Sequence, residues 1–194
     1  MLRLTSLLAV LALPALAAPP SGVKVAELSA QLYAAGMQAG DPMLLIAAAK
    51  LRKQITFRGN GAAPLGWGAM LAQAETLAAN DEALLALIGD VRAESLKGVA
   101  SGPMYQIGAL ARGGIDTFPG MGFATGDYAE IYVEAKTDTD LNLEVRDSTG
   151  RVVCVDTDPS PIAYCGWTPA GAGDVVVQVE NAGSQATGYA LMTN

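Results

Sequence analysis

The spacing of apolar residues changes character once along this chain. Up to about residue 98 they recur every three or four positions, and beyond residue 103 they alternate with polar ones. The first pattern predicts four amphipathic helices. The first runs from Val23 to Gln38, with Leu28, Leu32 and Ala35 on one stripe and Gly40 as its stop. Asp41 caps the second, Pro42 fills its first turn, and Leu44, Leu45, Ala48 and Leu51 carry it to Gln54. A loop over Phe57–Pro64 leads to a third helix from Trp67 to Ala79, with Asn80 as C-cap. Asp81 caps the fourth, which carries Leu84, Leu85, Ile88 and Val91 and stops at Gly98. The two helix junctions, Ala39 to Leu45 and Ala79 to Leu85, align at an offset of 40. That offset fits a duplicated helical hairpin, and equally two hairpins capped alike.

The second pattern predicts strands. Ala129, Ile131, Val133 and Ala135 share one face, opposite Glu130, Tyr132, Glu134 and Lys136. Leu141, Leu143 and Val145 alternate with Asn142, Glu144 and Arg146; Val175, Val177 and Val179 alternate with Val176, Gln178 and Glu180. Tyr189 and Leu191 lie on a last strand. Turn sequences separate these runs: Asp147-Ser148-Thr149-Gly150, Pro169 to Gly173, and Asn181-Ala182-Gly183. Strands with one apolar and one polar face suit two stacked antiparallel sheets. The chain is therefore expected to be α+β, with N-terminal helical hairpins over 18–102 and an antiparallel β-sandwich over 103–194.

Charge divides at the same place. Residues 19–102 carry seven acids and seven bases, whereas residues 103–194 carry twelve acids and four bases. The whole chain is net −7, which argues against a nucleic-acid partner. It contains no His, so the commonest general base and metal ligand is missing. The basic run Lys50-Leu51-Arg52-Lys53, with Arg58, is placed to face the acidic sandwich as an interdomain contact, worth about 1 kcal/mol or less per pair at the surface.

Residues 1–17 read as an export signal: Arg3 is the charged start, Leu7 to Leu13 the apolar centre, and Ala15-Leu16-Ala17 the cleavage motif. The apolar run is short for a bilayer core of about 30 Å, so no membrane span is expected after cleavage. The two cysteines, Cys154 and Cys165, stand eleven positions apart. An oxidising compartment would pair them as two strands fold back on each other, with a stabilisation of about 3 kcal/mol by the chain-entropy model. The expected location is periplasmic or secreted.

Residues 127–194 resemble the bacterial pre-peptidase C-terminal domain. The match runs through Thr139-Asp140-Leu141-Asn142-Leu143-Glu144-Val145, Asp147-Ser148-Thr149-Gly150, Trp167-Thr168-Pro169 with Gly173, Val175 to Asn181, and Gly188-Tyr189-Ala190-Leu191. The resemblance extends less closely back to Met104. It implies a jelly-roll-like sandwich of about eight strands with an accessory, non-catalytic role beside exported enzymes. The chain departs from the family pattern in two ways. A helical module stands where an enzyme would, and Asn142 replaces the second acid of the strand.

Three kinds of site are candidates. Asp138, Asp140 and Asn142, spaced by two, and Asp156 and Asp158 in the Cys-bounded loop offer oxygens to Ca²⁺, with Asp138, Asp140 and Asp158 the expected ligands; the alternative is a solvated, acidic sheet edge. Tyr132 and Trp167, with Tyr128 and Tyr164, are candidates for an exposed patch facing a glycan or protein, unless Trp167 packs against the disulfide. No catalytic group is expected: Ser95, Ser101, Ser148 and Ser160 have no His to activate them. The expected role is a non-catalytic binding or scaffolding protein of the bacterial envelope. A calcium-stabilised attachment module, or an accessory to a hydrolase, are the alternatives.

Overall fold

The computed structural model describes residues 19–59, 65–95, 102–171 and 173–194. The expected export signal and the expected helix stop at Gly98 lie outside them. Four helices come first: α1 (Gly22–Ala39), α2 (Pro42–Lys53), α3 (Trp67–Ala78) and α4 (Glu82–Ala93). Their ends follow from the caps. Ser21 accepts from the Lys24 amide, Asp41 from Met43, and Asp81 from Ala83 and Leu84. Gly40 closes α1 at φ +64°, the left-handed conformation that a side chain resists. At the end of α3 the cap position, with φ +50°, falls on Ala79 rather than on the expected cap Asn80. α4 ends at Ala93, short of Gly98. There the Lys53 ammonium donates to the carbonyls of Val91 (2.6 Å) and Arg92 (3.0 Å), filling acceptors that a finishing helix leaves bare.

The strands are β1 (Arg58–Gly59), β2 (Met104–Leu110), β3 (Ile115–Gly122), β4 (Ala129–Ala135), β5 (Leu141–Arg146), β6 (Val152–Asp156), β7 (Ile162–Trp167), β8 (Asp174–Asn181) and β9 (Thr187–Thr193). Sheet A has the order β1-β2-β9-β4-β7 and sheet B the order β3-β8-β5-β6. Every pairing is antiparallel except β1 with β2. Strands β2-β9-β4-β7 stacked on β3-β8-β5-β6 make the double Greek key of a jelly roll. The fold is α+β, as the periodicities require.

Valines and leucines at alternate positions fill the space between the sheets: Ile131, Val133, Leu141, Leu143, Val145, Val177, Val179 and Leu191 are buried together. Cys154 and Cys165 are joined, with Cα atoms 5.8 Å apart. Their strands turn back on each other but do not pair. β6 edges sheet B and β7 edges sheet A, so the disulfide clips the two sheets together at one side of the sandwich.

A second core lies among α2, α3 and α4, built on Leu45, Ile46, Met70, Leu71 and Ile88. A third joins the two parts of the molecule. Val23, Ala26 and Ala30 of α1 pack on Tyr105, Tyr132, Ala190 and Met192, the outward-facing residues of sheet A. The polar back of β4 is thereby buried too: Glu130, Tyr132 and Glu134 are inaccessible.

This contact corrects the expectation of weak surface pairing by the basic run. Arg52 and Glu134 are each 1% exposed. The guanidinium donates to both Glu134 oxygens (3.0 and 2.8 Å), to the Ala26 carbonyl (2.9 Å) and to Ser29 Oγ (3.2 Å). The Tyr132 hydroxyl donates to Glu134 Oε2 at 2.9 Å. The other bases turn elsewhere: Lys50 to Glu94, Lys53 to the end of α4, and Arg58 to the Gly102 carbonyl.

One buried amide ties three loops at the far end of the sandwich. Asn181 Oδ1 accepts from Thr139 Oγ1 (3.2 Å) and the Gly183 amide (3.1 Å), while its Nδ2 donates to the carbonyls of Ala111 (3.1 Å) and Gln185 (2.7 Å). Replacing Asn181 by Ala strands these partners out of water, and the expected cost is about 2–3 kcal/mol. Urea unfolding measures it, as a lower midpoint at unchanged slope. A shift no larger than that of an exposed residue would show that water replaces the amide.

Candidate functional site

The two sheets differ in what covers their outer faces. α1 lies on sheet A. Among the described residues no layer covers the outer face of sheet B, and its strands present their polar sides there. In β5 the inward residues are Leu141, Leu143 and Val145, so Asn142, Glu144 and Arg146 point out; in β8, Val176, Gln178 and Glu180 do the same. Register then builds rows across the strands. Ile115, Glu180 and Asn142 lie side by side, as do Thr117, Gln178, Glu144 and Val155.

These side chains hold one another. Asn142 Nδ2 donates to Glu180 Oε2 at 3.1 Å, Gln178 Nε2 donates to Thr117 Oγ1 at 3.4 Å, and Arg146 pairs with Glu144. Between them lies a hollow of about 100 Å³, with Asn142, Glu144, Gln178 and Glu180 among its lining. Ile115 and Val155 stand at its opposite ends, 56% and 53% exposed. A drug-sized ligand takes several times that volume, so the hollow suits a single side chain or the edge of a larger partner. Carboxylates and carboxamides between two apolar posts offer hydrogen bonds to such a group. The arrangement supplies recognition, and pairs no nucleophile with a base.

The tyrosines named from the sequence lie mostly under α1. Tyr132 is inaccessible and bonded to Glu134, so it forms no exposed patch; the helix laid over β4 is the reason. Tyr164 is half-buried: its hydroxyl donates to Glu130 Oε1 at 2.8 Å, and the Lys24 ammonium sits 4.3 Å above its ring. Burial first, then its bonds to Tyr128 and Glu130, push its phenol up. Tyr128 remains exposed beside it, the hydroxyls 3.5 Å apart. Trp167 packs edge-on against Phe123, 5.0 Å between centroids, at the margin of the core that also holds the disulfide.

The acids proposed for calcium lie in two loops that meet, since the Leu141 amide donates to the Ser160 carbonyl at 2.9 Å. Asp138 and Asp158 are exposed, and Asp140 Oδ1 is buried without a partner. Asp156 is occupied by its own loop, accepting from the amides of Asp158 (3.2 Å) and Tyr164 (2.8 Å). Among the described residues no three Asp, Glu or Cys side chains form a metal-holding group. Gln178, Glu180, Ile115 and Val155 were not singled out from the sequence. The alternation in β5 and β8 marks their outward faces, but only the register shows that they adjoin.

No family model matches the chain, and no curated protein matches it. Among solved structures it is similar to the pre-peptidase C-terminal domain of a collagenase from Bacillus anthracis, at 14% identity and a TM-score of 0.38, covering 46% of this chain and 87% of that one. It is similar also to PliG of Aeromonas hydrophila, a periplasmic inhibitor of g-type lysozyme, at 12% identity and a TM-score of 0.34, covering 52% and 90%. A third is the C-terminal CBM6 of a marine laminarinase from Zobellia galactanivorans, at 14% identity and a TM-score of 0.29, covering 44% and 76%.

Proposed function

We propose that this protein is an exported, non-catalytic binding or scaffolding protein of the bacterial envelope, and that it meets its partner through the open face of sheet B. The observation that carries this reading is the asymmetry of the sandwich. One outer face is covered by helices and held by a buried ion pair, while the other presents hydrogen-bonding side chains between two exposed apolar residues. A chain without His, whose open face holds acids and amides, is suited to recognition rather than proton transfer. The Cys154–Cys165 disulfide and the leader-like residues 1–17 support export.

The triple variant Asn142→Ala, Gln178→Ala, Glu180→Ala tests it. Oxidised wild-type protein immobilised against envelope extract is expected to retain a partner, and the variant to retain at least tenfold less. Protease treatment of the extract separates a protein partner from a glycan. Thermal midpoints should stay close to wild type, because the replaced side chains are half-buried on the open face and lie outside the cores. Equal retention by wild type and variant moves the contact off this face.

A further inference from the structure

An edge strand presents unpaired backbone groups, and proteins guard such edges with charge, proline, bulges or cover. Three of the four edges here are guarded. β3 carries Asp116 and Pro119 and shifts register between Phe118 and Met121. β6 and β7 are clipped to each other by the disulfide, and β6 ends on Asp156. The fourth is β2, Met-Tyr-Gln-Ile-Gly-Ala-Leu, with neither charge nor proline over seven residues. Among the described residues, β1 covers it at Met104 and Tyr105.

The free part of that edge has a definite pattern. The Arg58 amide donates to the Pro103 carbonyl, so odd-numbered residues of β2 turn their backbone groups toward the edge and even-numbered ones toward β9. Beyond Tyr105, which lies beside β1, this leaves Ile107 and Ala109. Their edge-facing N–H and C=O groups find no partner among the described residues, and the Ile107 side chain is 48% exposed.

We propose that a second copy of this chain covers this edge, pairing antiparallel about a two-fold axis at Gly108. In that register Ile107 lies opposite the partner's Ala109, and Ala109 opposite the partner's Ile107. Four inter-chain hydrogen bonds then use the edge-facing N–H and C=O groups of Ile107 and Ala109 on both strands. The neighbouring registers fail. An axis at Ile107 needs the edge groups of Tyr105, where β1 already lies; an axis at Ala109 needs Ala111, whose carbonyl accepts from the Gly114 amide and from Asn181. The register sets a large side chain beside a small one twice over. The strand carries no charge, so a chain of net −7 meets no like charge along it. A strand contact this short buries less than the roughly 1,000 Å² of a stable interface, so the dimer is reversible.

Sedimentation velocity on the purified oxidised protein, from micromolar to millimolar, tests the proposal. The wild-type mass should climb toward twice the monomer. Ile107→Pro removes an N–H that the β2–β9 ladder does not use, a position where an edge strand tolerates proline. This variant is expected to keep the wild-type circular dichroism and to associate at least tenfold more weakly. If it does not fold, Ile107→Lys takes its place, putting a charge opposite the partner's Ala109. A wild-type protein that stays monomeric throughout overturns the proposal and leaves the edge to a strand from another protein. Variants that dimerise as well as wild type overturn it too, because the contact then lies on another surface.

Discussion

Arg52→Ala is expected to destabilise the protein by about 3–5 kcal/mol, the range for removing one partner of a buried ion pair. The reason is what remains. Glu134 keeps one donor, the Tyr132 hydroxyl, and loses both guanidinium bonds at a site only 1% exposed. Ser29 Oγ and the Ala26 carbonyl lose their Arg52 donor at the same time. Arg52→Lys should recover only part of the loss, because one ammonium cannot form the two parallel bonds of the guanidinium. The double replacement Arg52→Met with Glu134→Leu is expected to be milder than either truncation alone, since it leaves no stranded charge. Urea unfolding of the two single variants Arg52→Met and Glu134→Leu and of the double gives the coupling energy, expected at about 2 kcal/mol or more. Single variants costing less than about 1 kcal/mol would mean that the pair behaves as a solvated surface contact.

The same pair shows where sequence reading stops. Arg52 sits in a run of bases that looks like one charged surface, yet Lys50 and Lys53 stay on the helical side and only Arg52 enters the seam. Each helical position turns by about 100°, which sends neighbouring bases in different directions, and the local sequence does not say what lies opposite. β4 poses the same problem in a strand. Its alternation identifies Ile131 and Val133 as inward residues, but Glu130, Tyr132 and Glu134 read as a solvated back. They are buried because α1 is laid over them, and that contact joins residues more than a hundred positions apart. Alternation reports which residues share a face, and cannot report whether a second layer covers it.

Where elements depend on neighbours in sequence, the reading holds. Asp41, Asp81 and Gly40 cap helices as their residue types require, and β5 and β8 sort inward from outward without exception. β2 and β3 carry a weaker signal, because Gly108, Gly120, Gly122 and Pro119 interrupt their apolar pattern. Gly108 is there for a tertiary reason: a Cβ would come within 2.4 Å of the Tyr189 ring. The candidate site was half legible. Asn142, Glu144, Gln178 and Glu180 each read as polar and outward, while the rows that make them one surface exist only once β3, β8, β5 and β6 are in register.

Strong alkali is expected to unfold this protein cooperatively, with tyrosinate formed in the same step. Tyr132 is inaccessible, and burial first, then the Glu134 charge, hold its phenol well above the ordinary range. Tyr189 is buried and donates to Asp116 Oδ2 at 2.6 Å; burial, then this bond, raise it too. Both groups therefore stay protonated in the fold after the unfolded chain has begun to lose its phenolic protons, near pH 10. The sign follows from linkage. Below that pH both states hold the protons and stability is unaffected; above it the unfolded state binds fewer, so stability falls as pH rises. Tyr132 and Tyr189 together contribute a slope of about 3 kcal/mol per pH unit, to which the raised Tyr164 phenol adds, against a total stability of about 5–15 kcal/mol for a domain. Titration followed together by tyrosinate absorbance and near-ultraviolet circular dichroism should show the final part of the absorbance rise coinciding with loss of tertiary signal. Tyr132→Phe removes one of these protons, so it should lower the slope above pH 10 by about 1.4 kcal/mol per pH unit while lowering neutral stability by about 1 kcal/mol through the lost bond to Glu134. Full tyrosinate formation near pH 10 in a protein that keeps its tertiary spectrum would show that neither phenol is sealed. The packing of α1 on sheet A, which encloses Tyr132, would then have to be abandoned.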